Sequence, residues 1–221
     1  MQTEAPQGSP EWFAARLGRV TASRVADVIT KTKTGWGASR ANYAAQLVAE
    51  RLTGEPGDKY TNAAMQWGTD TEPYARAAYE FMHGADVQLA GFIPHPKIEM
   101  AGASPDGLVE ADGLVEIKCP NTATHIETLL GGSVPGKYVA QMQFQLACTG
   151  RAWCDFVSFD PRLPESMRLF VRRLNRDDEY ITGLEVMIVE FLGEVDSTIR
   201  KLKQVYERRS EPTAADYMAA G

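Results

Sequence analysis

The sequence predicts a single α/β domain in which a central mixed β-sheet is flanked by helices. Three observations lead there. The 221 residues suffice for one sizeable core, and nothing in them demands a second. Helical patterns fill residues 10–82, strand-like runs follow to 118, and helices and strands recur up to 200. Between them, residues 103–120 read as a hairpin with turn chemistry at Ala111-Asp112-Gly113.

Composition narrows the class. The chain is 44% hydrophobic and 24% charged, which is ordinary for a soluble globular protein. No apolar run is long enough to span a membrane, and the N-terminus lacks the basic and apolar regions of a signal peptide. Cys119, Cys148 and Cys154 have no metal-site spacing and read as free thiols in a reducing compartment. The net charge of −6 argues mildly against generic nucleic-acid binding. Residues 1–40, however, carry six basic groups against three acids, so a local basic surface remains open.

Taken in order, residues 1–9 read as a flexible N-terminal tail. Residues 10–17 form a short helix, with Pro10 near its start and Gly18 past its end. Arg16 lies four residues after Trp12 and so shares its side of that helix, either facing inward or remaining solvated. Thr21 or Ser23 is a natural N-cap for the run ending at Ile29. A hydroxyl at a helix start near an arginine is also a phosphate cradle, although the residues alone favour plain capping. Residues 31–38 make a basic, glycine-containing loop without P-loop spacing, a surface loop or a DNA-backbone contact.

Residues 39–52 read as a helix capped by Ser39 and stopped by Gly54. Residues 62–82 are helical with an interruption around Gly68 and Pro73, which places Met65 before the break and Glu72 after it. Residues 86–93 and 98–103 read as strands. The three histidines, at 83, 95 and 125, do not make a zinc site.

The hairpin carries the chemistry. Strand side chains alternate, so Glu116 and Lys118 share one face and Val115 and Ile117 the other. A three-residue loop pairing Glu110 with Leu114 sets Asp106 opposite Lys118 and on the Glu116 face. A slip of one residue would reverse it. Gly113 suits a positive φ in that turn. Two convergent carboxylates are hard oxygen ligands suited to Mg²⁺ or Mn²⁺, and a lysine beside such an ion can orient or deprotonate a water. The plain alternative is a surface hairpin with a Glu–Lys ion pair.

Residues 122–130 and 137–148 are helices ended by glycines. Gln141 and Gln145 recur at i, i+4 beside a Met142/Leu146 stripe, as a helix edge or, for Gln141, a holder of phosphate or water. Residues 152–159 and 167–174 are strands, and 177–200 is a long helix. The domain is expected to cover 10–205, with 206–221 as a C-terminal tail.

Pro105-Asp106, ten residues on, then Glu116-Ile117-Lys118 resembles the PD-(D/E)XK nuclease signature, and with it a restriction-endonuclease-like domain. An ordered set of further pieces resembles the phage lambda exonuclease family, the YqaJ-type viral recombinases. These are Trp12 with Arg16-Leu17-Gly18, Thr21-Ala22-Ser23, Trp67-Gly68 with Glu72, Ser104-Pro105-Asp106-Gly107-Leu108, Glu116-Ile117-Lys118-Cys119-Pro120 and Ala140-Gln141-Met142-Gln143.

The resemblance implies a Mg²⁺-dependent, processive exonuclease that degrades the 5′-ended strand of linear double-stranded DNA. The 3′ single strand would pass to a single-strand annealing protein. It also implies a ring-shaped homotrimer, two ions per site and a cytoplasmic place in a bacterial host, with a phage or prophage gene. Position by position, Asp106, Glu116 and the Ile117 carbonyl would bind metal and Lys118 would activate water. Glu72 and Gln141 would complete the shell, Arg16, Ser23 and Ser104 would bind the 5′-phosphate, and Met65 would prise apart the terminal base pair. One departure stands out: the family relative has an arginine where this chain has Thr124, with His125 beside it as a partial substitute. The rivals are an endonuclease on the same core, a non-catalytic DNA-end-binding scaffold and an acidic interaction protein.

Overall fold

The structure is a computed structural model that describes residues 5–33, 35–57 and 62–207. Its elements in chain order are α1 (Pro10–Arg16), β1 (Val20–Thr21), α2 (Val25–Ile29), β2 (Lys31–Thr32), β3 (Gly35–Trp36), α3 (Ala38–Thr53) and α4 (Ala63–His83). There follow β4 (Val87–Gln88), β5 (Ile93–Pro94), β6 (Ala101–Ala103), β7 (Gly107–Val109), β8 (Gly113–Lys118), α5 (Thr122–Gly131), α6 (Gly136–Thr149), β9 (Trp153–Phe159), β10 (Leu169–Asn175) and α7 (Asp178–Tyr206).

The main sheet has the order β10-β9-β8-β7-β4. Its β8–β9 pair is parallel, bridged by α5 and α6, and its other pairs are antiparallel. It is thus the expected mixed sheet. A smaller sheet, β1-β6-β5, feeds β6 into the segment before Asp106. Alternation on β8 builds two cores. Leu114 joins Phe156, Phe144 and Phe191 under α6 and α7, whereas Val115 and Ile117 pack with Ala75 and Tyr79 of α4.

Several expectations shift. The helix over 62–82 is unbroken: α4 runs through Gly68 and Pro73 from an Asn62 side-chain cap. Burial of Thr71, Ala75 and Tyr79 against the sheet outweighs the propensity cost of those two residues. The strand expected over 86–93 divides into β4 and β5, which belong to different sheets. Neither Thr21 nor Ser23 caps α2: residues Ala22–Arg24 form a 3₁₀ turn first, and no side chain caps either helix start. Gly37, not Ser39, occupies the N-cap of α3.

The basic 31–38 segment contains the β2–β3 pair, with Arg40 stacked on Trp36. Within the segment expected as an N-terminal tail, Gln7 donates to the carbonyls of Ala90 and Pro105. Of the expected C-terminal tail, 208–221 lies outside the described residues, and α7 extends through Tyr206.

Gly113 matters by space rather than by φ. A Cβ there would stand 2.1 Å from Cζ2 of Trp153. Gly113→Ala is therefore expected to lower the melting temperature by roughly 3–10 °C, read by thermal unfolding. Overpacking costs on the order of 1–3 kcal/mol or more, at about 2–4 °C per kcal/mol for this size.

Candidate active site

The hairpin turns through three residues, but one position earlier than the sequence predicts. Val109 pairs with Gly113, so the loop is Glu110-Ala111-Asp112 and Glu110 takes the positive φ of 51°. The register moves by two residues relative to the Glu110–Leu114 pairing. A shift of two preserves the face of every side chain, so Asp106 still meets the Glu116 side. Continuing the ladder sets Asp106 across from Glu116 rather than Lys118.

Glu116 is fully buried, and both of its oxygens are engaged. Its Oε1 accepts from Gln141 Nε2 at 2.5 Å and from the Lys118 ammonium, and its Oε2 accepts from Gln145 Nε2 at 2.6 Å. Asp106 Oδ2 accepts the backbone N–H of Ile117 at 2.7 Å, which ties the two strands together at the site. Glu72 reaches the same place from α4 and keeps a loose pair with Arg76 at 3.6 Å. Met65, Glu72, Asp106, Ile117, Lys118, Cys119 and Tyr138 all line one cleft of about 350 Å³.

The electrostatics are those of crowded acids. Burial and then Glu116 push the Asp106 carboxyl well above its ordinary range, with Lys118 and the Ile117 N–H opposing. Burial also lifts Glu72; Arg76 opposes this and Glu116 adds to it. For Lys118, burial acts against the charge, but Glu116 and Asp106 outweigh it and hold the ammonium above its usual value. Burial lifts the Cys119 thiol to about 12, consistent with packing rather than nucleophilic use.

The donor set fits a hard divalent cation. Two carboxylates and the Ile117 carbonyl would offer it oxygen donors, and a cation would relieve the like charges that lift Asp106 and Glu72. Among the described residues no three His, Cys, Asp or Glu side chains gather as a metal cluster, so water and substrate oxygens would complete the shell.

A second cleft, of about 420 Å³, adjoins the first through Met65 and is lined by Arg16, Ser23, Arg24 and Tyr43. Arg16 stacks 4.0 Å over Trp12, and its Nη1 donates to Ser104 Oγ at 3.1 Å. Trp12 Nε1 donates to the same oxygen at 2.9 Å. Burial lowers the Arg16 pKa to about 10, which leaves it charged at neutral pH.

The structure thus brings Glu72, Asp106, Ile117 and Lys118 to one cleft and Arg16 and Ser23 to the other, with Met65 in both, Glu116 and Gln141 bonded behind Lys118 and Ser104 bonded to Arg16. One expectation fails. His125 cannot stand in for the absent arginine beside Thr124, because its ring is fully buried. Its Nδ1 and Nε2 are engaged by Ser158 Oγ at 2.7 Å and the Met167 carbonyl at 2.9 Å. Sequence reasoning also left Gln145 and Tyr138 without a role. The i, i+4 repeat of Gln141 and Gln145 held the signal for the first, since both amides emerge from one face of α6 onto Glu116.

A mixed sheet whose hairpin brings an Asp, a Glu and a Lys to one edge defines a PD-(D/E)XK-type core. The chain belongs to the YqaJ-like viral recombinase domain family, whose model matches residues 11–152. It is similar to the alkaline exonuclease LHK-Exo from Laribacter hongkongensis. That likeness is 53% identity over 91% of this chain and 100% of that one, with a TM-score of 0.86. The LHK-Exo structure in complex with dAMP aligns with a TM-score of 0.87 at the same identity. A phage-related exonuclease from Haemophilus somnus 129PT shares the fold at 16% identity, covering 83% of this chain and 96% of its own, with a TM-score of 0.66. No match was found among curated proteins.

Proposed function

We propose that this protein is a Mg²⁺-dependent exonuclease that degrades the 5′-ended strand of linear double-stranded DNA and leaves 3′ single-stranded overhangs. The observation that carries this reading is the convergence of Glu72, Asp106 and Lys118 in one cleft, with Glu116 and Gln141 bonded behind Lys118 and with Arg16 lining the adjoining cleft. The alkaline exonuclease relative, with its dAMP complex, supports a nucleotide product. Processive action as a homotrimer, two ions per site, Mn²⁺ as a substitute and hand-over to a single-strand annealing protein complete the proposal.

Asp106, Glu116 and the Ile117 carbonyl would hold the cation, and Glu72 and Gln141 would order the water around it. When bound, the ion supplies Lewis-acid charge at the reacting phosphate and acidifies water. Without the ion Lys118 is an ammonium; the charge of a cation beside it would favour the neutral amine, which would orient the attacking water and take its proton. The water oxygen bonds to phosphorus as the bond to the 3′-oxygen breaks, and that oxygen leaves as a hydroxyl. Arg16, Ser23 and Ser104 seat the terminal 5′-phosphate, and Met65, 53% exposed between the clefts, wedges the end pair.

Linear duplexes labelled at either end, bearing 5′-phosphate or 5′-hydroxyl, test this directly. With Mg²⁺ the 5′ label is expected to leave first, with none released in chelator and no cutting of closed circular DNA. Cleavage of the circle would make the protein an endonuclease. No cleavage of any substrate would leave a DNA-end-binding scaffold.

Gln145 is fully buried and donates to Glu116. It fixes the plane of the Glu116 carboxylate, so Gln145→Leu is expected to raise the Mg²⁺ concentration for half-maximal rate by about 10–100-fold, as outer-shell losses do. A direct Mn²⁺ titration of the variant by calorimetry should show the same loss. Unchanged metal binding would reduce Gln145 to a packing residue.

A further inference from the structure

Two cations that the chemistry above leaves unused rest on aromatic rings next to the cleft that holds Asp106 and Lys118. Lys137, exposed at the start of α6, places its ammonium 4.9 Å from the ring centroid of Tyr138. Tyr138 lines the cleft, and the Lys118 ammonium lies 5.4 Å from the same centroid. Lys137 itself lines a neighbouring cleft of about 220 Å³ with Thr124 and Thr128, and the Tyr138 ring links it to the Lys118 ammonium. Among the described residues Lys137 has no ion-pair partner.

Arg162 follows β9, and its guanidinium lies 4.4 Å over the ring of Trp67. Its Nε and Nη2 donate to the fully buried Asp160 at 2.7 and 2.9 Å, and Nη2 also approaches the Pro120 carbonyl at 3.4 Å. Pro120 lines the cleft, as do Met65 and Gly68 on either side of Trp67 in sequence. The Arg162 side chain is 46% exposed, and Nη1 makes no hydrogen bond among the described residues.

A cation parked on an aromatic face keeps its charge and loses rotamer freedom, so an anion meets donors already in place. Lys137 offers a point charge, whereas Arg162 offers the open edge of a planar fork. An anion that meets both, with the reacting group between the carboxylates, must carry repeated charges along a chain. A protein of net charge −6 lacks a broad positive field to draw such a chain in, so local anchors have to hold it.

We infer that Lys137 and Arg162 bind backbone phosphates of the DNA that flank the reacting one. The inference rests on the nuclease reading and adds how the substrate is gripped. The competing explanation makes Arg162 a neutraliser of Asp160 and Lys137 a solvated surface lysine.

The experiment measures Kd for a short linear duplex with Ca²⁺ in place of Mg²⁺, over a salt series, for wild type, Lys137→Met, Arg162→Gln and Arg162→Lys. Lys137→Met is expected to weaken binding about five- to tenfold, with an unchanged melting temperature. Its slope of log Kd against log salt should fall by about one, the share of a single phosphate contact. Arg162→Gln should weaken binding similarly with a smaller slope change, since Asp160 already balances part of its charge. It also strands Asp160, so Arg162→Lys, which keeps the charge, is the folding control and should bind at an intermediate level. Wild-type binding with affinity and slope unchanged in Lys137→Met and Arg162→Gln overturns the inference alone. A wild-type protein that binds no duplex overturns the nuclease reading with it.

Discussion

Glu116→Gln is expected to slow DNA cleavage by roughly 10³- to 10⁴-fold, because a carboxylate that holds a catalytic cation is worth several kcal/mol of transition-state stabilisation. Glutamine is the right replacement and alanine is not. Glu116 is fully buried and receives Gln141, Gln145 and Lys118. Truncation to alanine would strand three donors at once, each costing about 1–3 kcal/mol, and the protein would lose stability along with activity. Glutamine keeps the shape and one acceptor while it removes the charge. The measurement is end-labelled duplex degradation beside circular dichroism and thermal unfolding. A variant that folds and cuts at the wild-type rate would remove Glu116 from the mechanism.

Mg²⁺ at about 100 times its Kd is expected to raise the melting temperature of the wild type by roughly 5–10 °C. Linkage gives about 2.7 kcal/mol at that ratio, and a chain of this size moves about 2–4 °C per kcal/mol. Asp106→Asn should abolish that rise. The sign of the pH dependence follows from the burial and the Glu116 charge that lift the Asp106 carboxyl. The folded, metal-free protein binds this proton more tightly than the unfolded chain. Stability from this group is therefore full at low pH and is lost as pH rises through the lifted value. Added Mg²⁺ should help most on the alkaline side. Differential scanning calorimetry from pH 5 to 9, with Mg²⁺ or chelator, reads both effects. An equal Mg²⁺ shift in wild type and Asp106→Asn would place the ion elsewhere.

The ring and the annealing partner belong to the proposal rather than to the fold. Among the described residues no helix is long and apolar enough to cross a membrane.

Much of the site could be read without coordinates because period-2 alternation is a local property. Glu116, Lys118 and Ile117 had their faces assigned by spacing alone, and the parity of the hairpin put Asp106 on the correct side although the turn moved by one residue. Gly113 shows the limit. Its sequence context points to a left-handed turn, but the need for glycine comes from Trp153, forty positions away, pressing on it. Propensity likewise predicts a break at Gly68 and Pro73, and packing of Tyr79 and Ala75 on the sheet keeps α4 whole.

Sequence by itself determined the α/β class, the main helices and which side chains share the reactive face, since these follow from short-range pattern. Only the tertiary structure decided that Gln145 joins Gln141 on Glu116, that His125 is locked away, and that Arg162 rests on Trp67. Those outcomes depend on where α6 and the turn after β9 dock on the sheet. Long-range packing sets that docking, and no local spacing encodes it.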